Sequence, residues 1–306
     1  MKIFKKSILI FTFLFLILSS LLSFSFAEAS NYPLTITDDT GSAIIIPEEP
    51  QRIISTAPSN SEILFAIGLG DKVVGVTDYT NYPEETTKVE KIGKMSPLNL
   101  EKITSLKPDL ILAYAGFQLK EIPRLRELGF NVLVIEPLTI KETLKSIKMV
   151  ATACGIPEKG NVLVEDLLQR INKIKTEVSK IAITERPNIF IGGIYEAIWT
   201  PGEGTLFNEL ISLAGGRNIA AGLSGWTKIS QEFIIKEDPD IIIIPTGAMN
   251  PGDELKIKEN ISQRPGWSNI SAIKTQKIFI VNEDLFYRAT PRLVDGLELL
   301  HKIFYE

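Results

Sequence analysis

The chain has 306 residues, 44 % apolar and 23 % charged, with a formal net charge of −4. That length allows two ordinary domains, each with its own core. The first 29 residues hold three lysines and one glutamate, which leaves the remainder at −6; an acidic chain without a basic block excludes nucleic acid and anionic lipid as partners.

Lys2, Lys5 and Lys6 precede an apolar run from Ile8 to Leu18, and Ala27-Glu28-Ala29 offers small residues for cleavage. Residues 1–29 are therefore expected to form a signal peptide, with an uncleaved membrane anchor as the alternative because the apolar stretch is long. Either way the remainder is expected on the periplasmic or extracellular side. No cysteine follows the apolar run, so no lipid-modified cysteine anchor is expected. The single cysteine, Cys154, rules out an intrachain disulfide and suits a small buried thiol at a helix end.

Residues 34–38 and 42–46 are expected to pair as a hairpin about Asp39-Thr40-Gly41. Short apolar strands follow at 52–56, 72–76, 109–113 and 131–135. Helices are expected between them at 59–68, capped by Ser59 or Asn60, at 99–106, at 121–128, and after them at 141–153. From Pro157 to about Ile183 the sequence holds no strand signal, and Val162, Leu163, Leu167, Leu168, Ile171, Ile174 and Val178 recur at helical spacing. A helix of ~25 residues would span roughly 37 Å. Strands then return at 188–191, 240–244 and 277–281, with helices at 206–213, 230–237 and 291–304. Alternation of this kind predicts parallel strands with helices on the sheet faces.

The second half echoes the first. NLEKITSLKPDLILA at 99–113 and SQEFIIKEDPDIIII at 230–244 share a polar cap, a glutamate two residues on, and Pro-Asp before an apolar run, 131 positions apart. EILFAIGLGDKV at 62–73 matches NELISLAGGRNI at 208–219 at a shift of 146. The expected architecture is two Rossmann-like α/β lobes, 30–155 and 185–306, joined by one long backbone helix at 156–184, with a ligand cleft between them.

Enzyme signatures are missing. The single histidine, His301, lies within the final helix, and no P-loop, G-x-S-x-G elbow or paired carboxylates are marked by spacing. A binding protein is favoured over an extracytoplasmic enzyme using the same cleft. What the chain offers is aromatics after strands: Tyr79 and Tyr82, Tyr114 and Phe117, Tyr195 and Trp199, Trp226, and Phe286 beside Arg288. Loops at strand carboxyl ends form the ligand crevice of α/β sheets, and aromatic faces there suit a large flat guest. Each ring could equally pin its loop to the core, and Arg288 could pair with Glu283 or Asp284. Trp267 is expected to be packing. Glu101 and Glu232 fall at the second position of their helices. There a carboxylate complements the helix dipole; the sharper reading is that each lobe presents one exposed acid to a two-fold symmetric basic partner.

PQRIIS at 50–55, NSEILFAIG at 60–68, VGVTDY at 74–79, NLEKI at 99–103 and KPDLI at 107–111 resemble the substrate-binding proteins of ABC importers for siderophores, haem and cobalamin. The resemblance covers about residues 50 to 300. Within that class, YTNYP at 79–83, Gly225-Trp226 before SQE at 230–232, and DLFYRATPR at 284–292 are most similar to the cobalamin-binding members. It implies two lobes on a rigid helix, modest closure on binding, and a monomer delivering its guest to a membrane permease dimer through Glu101 and Glu232. Met95 and Leu285 stand where those members have tryptophan. The implied ligand is cobalamin or a related corrinoid, with an iron–siderophore or haem as the alternative. No cofactor and no protein ligand to metal are expected, since a chelate brings its own metal.

Overall fold

Sheet order repeats across the molecule. In this computed structural model residues 32–194, 197–247 and 253–306 are described; the expected signal peptide and Tyr195 lie outside them. Residues Pro33–Glu306 form one unit.

β1 (Leu34–Thr37) and β2 (Ala43–Ile46) form the expected antiparallel hairpin. β3 (Ile53–Ser55), β4 (Val73–Val76), β5 (Leu110–Tyr114) and β6 (Val132–Ile135) make a parallel sheet in the order β4-β3-β5-β6. β7 (Asn188–Ile191) is followed by the short β8 (Gly193–Ile194), β9 (Ile198–Pro201), β10 (Arg217–Asn218) and β11 (Trp226–Ile229), then β12 (Ile241–Thr246) and β13 (Ile278–Asn282). The second parallel sheet runs β10-β7-β12-β13. Taken in chain order, both sheets read 2-1-3-4. The sequence echoes fall on matching elements: each 131-shifted segment is a helix leading into the third strand, and each 146-shifted one a helix leading toward the second. β3, β6, β7 and β12 are buried along nearly their whole length, as sheets covered on both faces require.

Helices in the first half are α1 (Pro58–Ala66), α2 (Leu100–Ser105), α3 (Ala115–Gln118), α4 (Ile122–Glu127) and α5 (Ile140–Ala153). α1 is capped by Ala57 with no side-chain bond, not by Ser59 or Asn60. Pro58 opens it instead, where the missing N–H costs nothing. The polar side chains turn inward: Asn60 Nδ2 donates to Leu112 O at 3.0 Å and Ser61 Oγ to Ser55 Oγ at 2.7 Å. Thr139 and Glu142 close a capping box on α5, and Cys154 caps its far end, fully buried.

α6 (Pro157–Val178) is the long helix, at 22 residues about 33 Å. It stops short of Ile183 because Arg186 Nη2 donates to the carbonyls of Val178 and Ile181, at 3.2 and 3.4 Å, and turns the chain. Val164, Leu167, Ile171, Ile174 and Val178 are buried, while Val162 and Leu168 face solvent. α6 packs on α5 on one side and on α7 (Leu206–Leu213) and the last helix on the other. Gly160 permits the α5 contact: a Cβ there would stand 2.5 Å from the Ala151 Cβ. The second half adds α8 (Gln231–Glu237), α9 (Glu254–Ser262), α10 (Ser271–Lys274), α11 (Asp284–Tyr287) and α12 (Leu293–Tyr305). Trp267 is fully buried in its core, as expected.

One element was not legible as such. β8, β9 and β11 form a small antiparallel sheet, ordered β11-β9-β8, where loops were expected.

Candidate functional site: an aromatic cleft between the two sheets

In a 2-1-3-4 sheet the chain reverses direction at the first strand, and the crevice outside the carboxyl ends of strands one and three is the favoured ligand position. A cavity of about 530 Å³ lies there, and both halves of the chain line it. From the first half come Ala57-Pro58-Ser59 after β3, Tyr79 after β4, Met95, Tyr114 at the end of β5, Phe117 on α3, and Pro137 after β6. From the second come Leu206 at the start of α7 and Glu283, Asp284, Tyr287, Arg288 and Ala289 after β13.

The floor is tied by Gln118, which is fully buried. Its Oε1 accepts from Thr56 Oγ1 at 2.6 Å and from the Tyr114 amide at 3.0 Å. Its Nε2 donates to Thr56 O at 2.8 Å and Met95 O at 2.9 Å. One side chain thus fixes the ends of β3 and β5 and the Met95 loop relative to one another. Burial, and then the nearby Glu136 carboxylate, pushes the Tyr114 phenol above its usual range, so it stays a neutral donor. The Tyr114 and Phe117 rings lie 5.8 Å apart.

The opposite wall is an aromatic stack. Tyr287 lies against Trp226 at 5.6 Å and 21°, and meets Phe207 edge-on at 4.9 Å. Phe207 in turn stacks on Phe286 at 5.7 Å. The short α11 decides which ring faces the cleft: it turns Phe286 into the core, with no exposed surface, and Tyr287 outward. Phe286 is therefore corrected from cleft contact to core, and Tyr287 takes the place expected of it.

Of the expected ligand contacts, Tyr79, Tyr114, Phe117 and Arg288 line the cavity. Trp226 stands behind Tyr287, outside the cavity lining, and Trp199 is exposed on β9. Tyr82 does not line it. The Arg292 guanidinium covers its ring at 3.8 Å, in a second groove of about 370 Å³ lined also by Glu62, Asp166 and Arg170.

Arg288 and Arg292 explain the separation of the two spaces. Glu62 on α1 is nearly inaccessible and accepts from Arg292 Nε at 2.7 Å, Arg292 Nη2 at 2.6 Å and Arg288 Nη1 at 3.0 Å. Arg288 also pairs with Asp284 at 2.7 Å and donates to Asn81 Oδ1 at 2.7 Å, and Asn81 Nδ2 donates to Asp284 at 2.9 Å. These bonds join the first half to the second and form the wall between cavity and groove. Arg288 borders the cavity with its charge already engaged by two carboxylates. Burial works against the charge of Arg292, but the Glu62 hydrogen bonds and charge outweigh it and hold the guanidinium more firmly protonated.

Glu101 and Glu232 are each exposed at the second position of their helix. Asn99 Oδ1 accepts from the Lys102 amide at 3.0 Å and Ser230 Oγ from the Phe233 amide at 3.2 Å, so the two caps are built alike. The Glu232 carboxyl is held below its usual range by its own backbone amide and by the Ser230 hydroxyl. In each half the helix runs into the third strand of a parallel sheet. Its amino end, and hence the glutamate, therefore lies at the same edge as the strand carboxyl ends that bound the cavity.

This two-sheet architecture, with an aromatic cleft at paired switch points, defines a bilobal solute-binding protein. The chain belongs to the periplasmic binding protein family, whose model matches residues 53–285. It is 37 % identical over 279 residues to an ABC transporter substrate-binding lipoprotein of Bacillus subtilis, covering 90 % of this chain and 86 % of the relative. It is 31 % identical over 262 residues to the vitamin B12-binding protein of Vibrio cholerae, covering 85 % and 91 %. Among solved structures it matches a periplasmic solute-binding protein of Staphylococcus epidermidis, described as a possible iron-binding protein. That match has a TM-score of 0.74 and 30 % identity over 85 % of this chain and all of the other. The Bacillus relative is named a lipoprotein, whereas the one cysteine of this sequence is the buried Cys154. No helix among the described residues is long and apolar enough to cross a membrane.

Proposed function

We propose that the protein is the extracytoplasmic solute-binding subunit of an ABC importer and that it captures cobalamin or a related corrinoid between lobes 30–155 and 185–306, with the helix of 156–184 as spacer. The carrying observation is the cleft itself: tyrosines from both halves of the chain, phenylalanine and methionine from the first, and one bordering arginine neutralised by Glu62 and Asp284. Such a lining suits a large, flat guest of little net charge. The kinship with a vitamin B12-binding protein supports the same ligand. The guest brings its own metal, and the protein supplies packing and hydrogen bonds, not catalysis or a resident cofactor. Glu101 and Glu232 serve as the docking acids, one for each subunit of a permease dimer, from a monomeric carrier. An iron chelate or haem is the second reading, favoured by the likeness to the staphylococcal protein. Mass spectrometry of ligand retained through purification tests the two: a corrinoid supports the first, a ferric siderophore or haem replaces it with the second.

A further inference from the structure

Two loops at the rim of the cavity are tied together by one amine. Segment 90–93 runs beside β4 and past its end. The Val76 amide donates to Glu90 O at 3.0 Å, the Ile92 amide to Val76 O at 2.9 Å and the Asp78 amide to Gly93 O at 2.9 Å. The segment leads into Met95, whose carbonyl is secured by Gln118. β4 itself ends in a tight turn, closed from the Thr80 amide to Thr77 O at 3.1 Å. The two threonines are buried, with their hydroxyls 3.2 Å apart, while Asp78 and Tyr79 are exposed and Tyr79 lines the cavity. Lys91 Nζ donates across to this turn, to Thr80 O at 2.9 Å and to Thr77 O at 3.4 Å.

Lys91 is not an ordinary surface lysine. It is half-buried, and among the described residues no carboxylate pairs with it. Burial pulls its ammonium below the usual range, against the attraction of Asp78. Its charge is directed at the carbonyls of the turn, where a charge-assisted bond is roughly twice as strong as a neutral one. Just beyond the turn the chain reaches the other half of the molecule. Asn81 Oδ1 accepts from Arg288, Asn81 Nδ2 donates to Asp284, and Arg288 Nη2 donates to Tyr79 O at 3.5 Å. A side chain that locates residues 77–80 therefore locates one cavity ring and one end of the wall together.

We infer that Lys91 is a positioning residue of the ligand site: through the carbonyls of Thr77 and Thr80 it fixes the loop of Tyr79 and Asn81 against the loop of Met95, and so sets how tightly the cleft holds its guest. This rests on the cleft as the place where the guest binds; Lys91 stands behind the two loops and does not line the cavity.

Lys91→Met keeps the apolar stem and removes the charge and the donors. In calorimetric titration of the full chain with cyanocobalamin it is expected to weaken binding about tenfold, in keeping with the loss of one bond from a charged group. Tyr79→Ala is expected to weaken it about as much. Because Lys91 acts through the loop that carries the ring, the double variant should fall well short of the roughly hundredfold product. Unchanged affinity in Lys91→Met, or losses that multiply in full, overturns the assignment. If the unmutated chain does not bind cyanocobalamin, the proposed function fails, and Lys91 is read without ligand. Amide hydrogen exchange in Lys91→Met is then expected to quicken about tenfold across 76–82 and to stay unchanged in β5 and β12. Unchanged exchange at 76–82 overturns the assignment, and so does faster exchange throughout, which would make Lys91 a general support of the fold.

Discussion

Arg292 and Glu62 form a two-bond pair, Nε to one carboxylate oxygen at 2.7 Å and Nη2 to the other at 2.6 Å, between the N-cap of α12 and the middle of α1. The residues are 230 positions apart, and the carboxylate is 1 % exposed. Burying two ions is costly, and the pair holds only while every partner is present. Glu62→Ala strips Arg292 of its carboxylate and Arg288 of one of its two, and is expected to destabilise the protein by about 3 kcal/mol. Urea unfolding checks this. Because the same bonds join the halves of the chain, the loss should exceed that of Glu101→Ala, which removes only an exposed first-turn acid.

Charge reversal at the two helix starts separates docking from capture. Glu101→Lys and Glu232→Lys lie outside the cavity lining and are expected to leave ligand affinity unchanged while abolishing uptake in cells. Uptake assays and solution titrations of the same variants check this. Weakened ligand binding with uptake otherwise normal would assign these acids to the cleft.

The α6–α12 contact carries a pH dependence. Arg170 donates to Glu298 at 2.9 and 2.6 Å and to Asp295 at 2.5 Å. Hydrogen bonds from Arg170 hold the Glu298 carboxyl below its usual range, against partial burial. A carboxyl depressed on folding contributes stability above its unfolded pKa, and that contribution is lost as pH falls through the folded value. Glu298→Gln should therefore lower the melting temperature at pH 7, by an amount corresponding to about 0.5 kcal/mol for so exposed a pair. The difference should vanish below the folded pKa. Melting curves of both proteins across pH 2–7 check it.

Cys154 should behave as core. Burial pushes its thiol up to about 12, so almost no thiolate exists near neutrality. Aromatic disulfide reagents are expected to leave the native protein unlabelled for hours and to label it at once in denaturant.

The lobes were legible because buried parallel strands are short, uninterrupted apolar runs, and because the helix into each third strand repeats its cap, glutamate and Pro-Asp. The caps Asn99 and Ser230 were readable one by one. β9 and β11 were not. IWTP and WTKI place their large rings on an open face beside glycines, a composition that reads as loop, and only the register shows the shared surface. Phe286 and Tyr287 are adjacent letters whose fates depend on the phase of one helical turn. Tyr82 and Arg288 were drawn away from simple cleft roles by Arg292 and Glu62, partners too distant in sequence for any spacing to reveal. Gln118 carried no signal at all, since three of its four bonds go to Thr56 and Met95, in segments that meet it only in the fold.

The proposed corrinoid site lies between the sheets, against Tyr114 and Tyr287. Quenching of intrinsic tryptophan fluorescence by cyanocobalamin tests it most directly, since Trp226 stacks on Tyr287. Saturable one-to-one quenching is expected, with a midpoint raised about tenfold by Tyr114→Ala, the loss of one aromatic contact. Quenching that never saturates, or a midpoint indifferent to Tyr114→Ala, would contradict it.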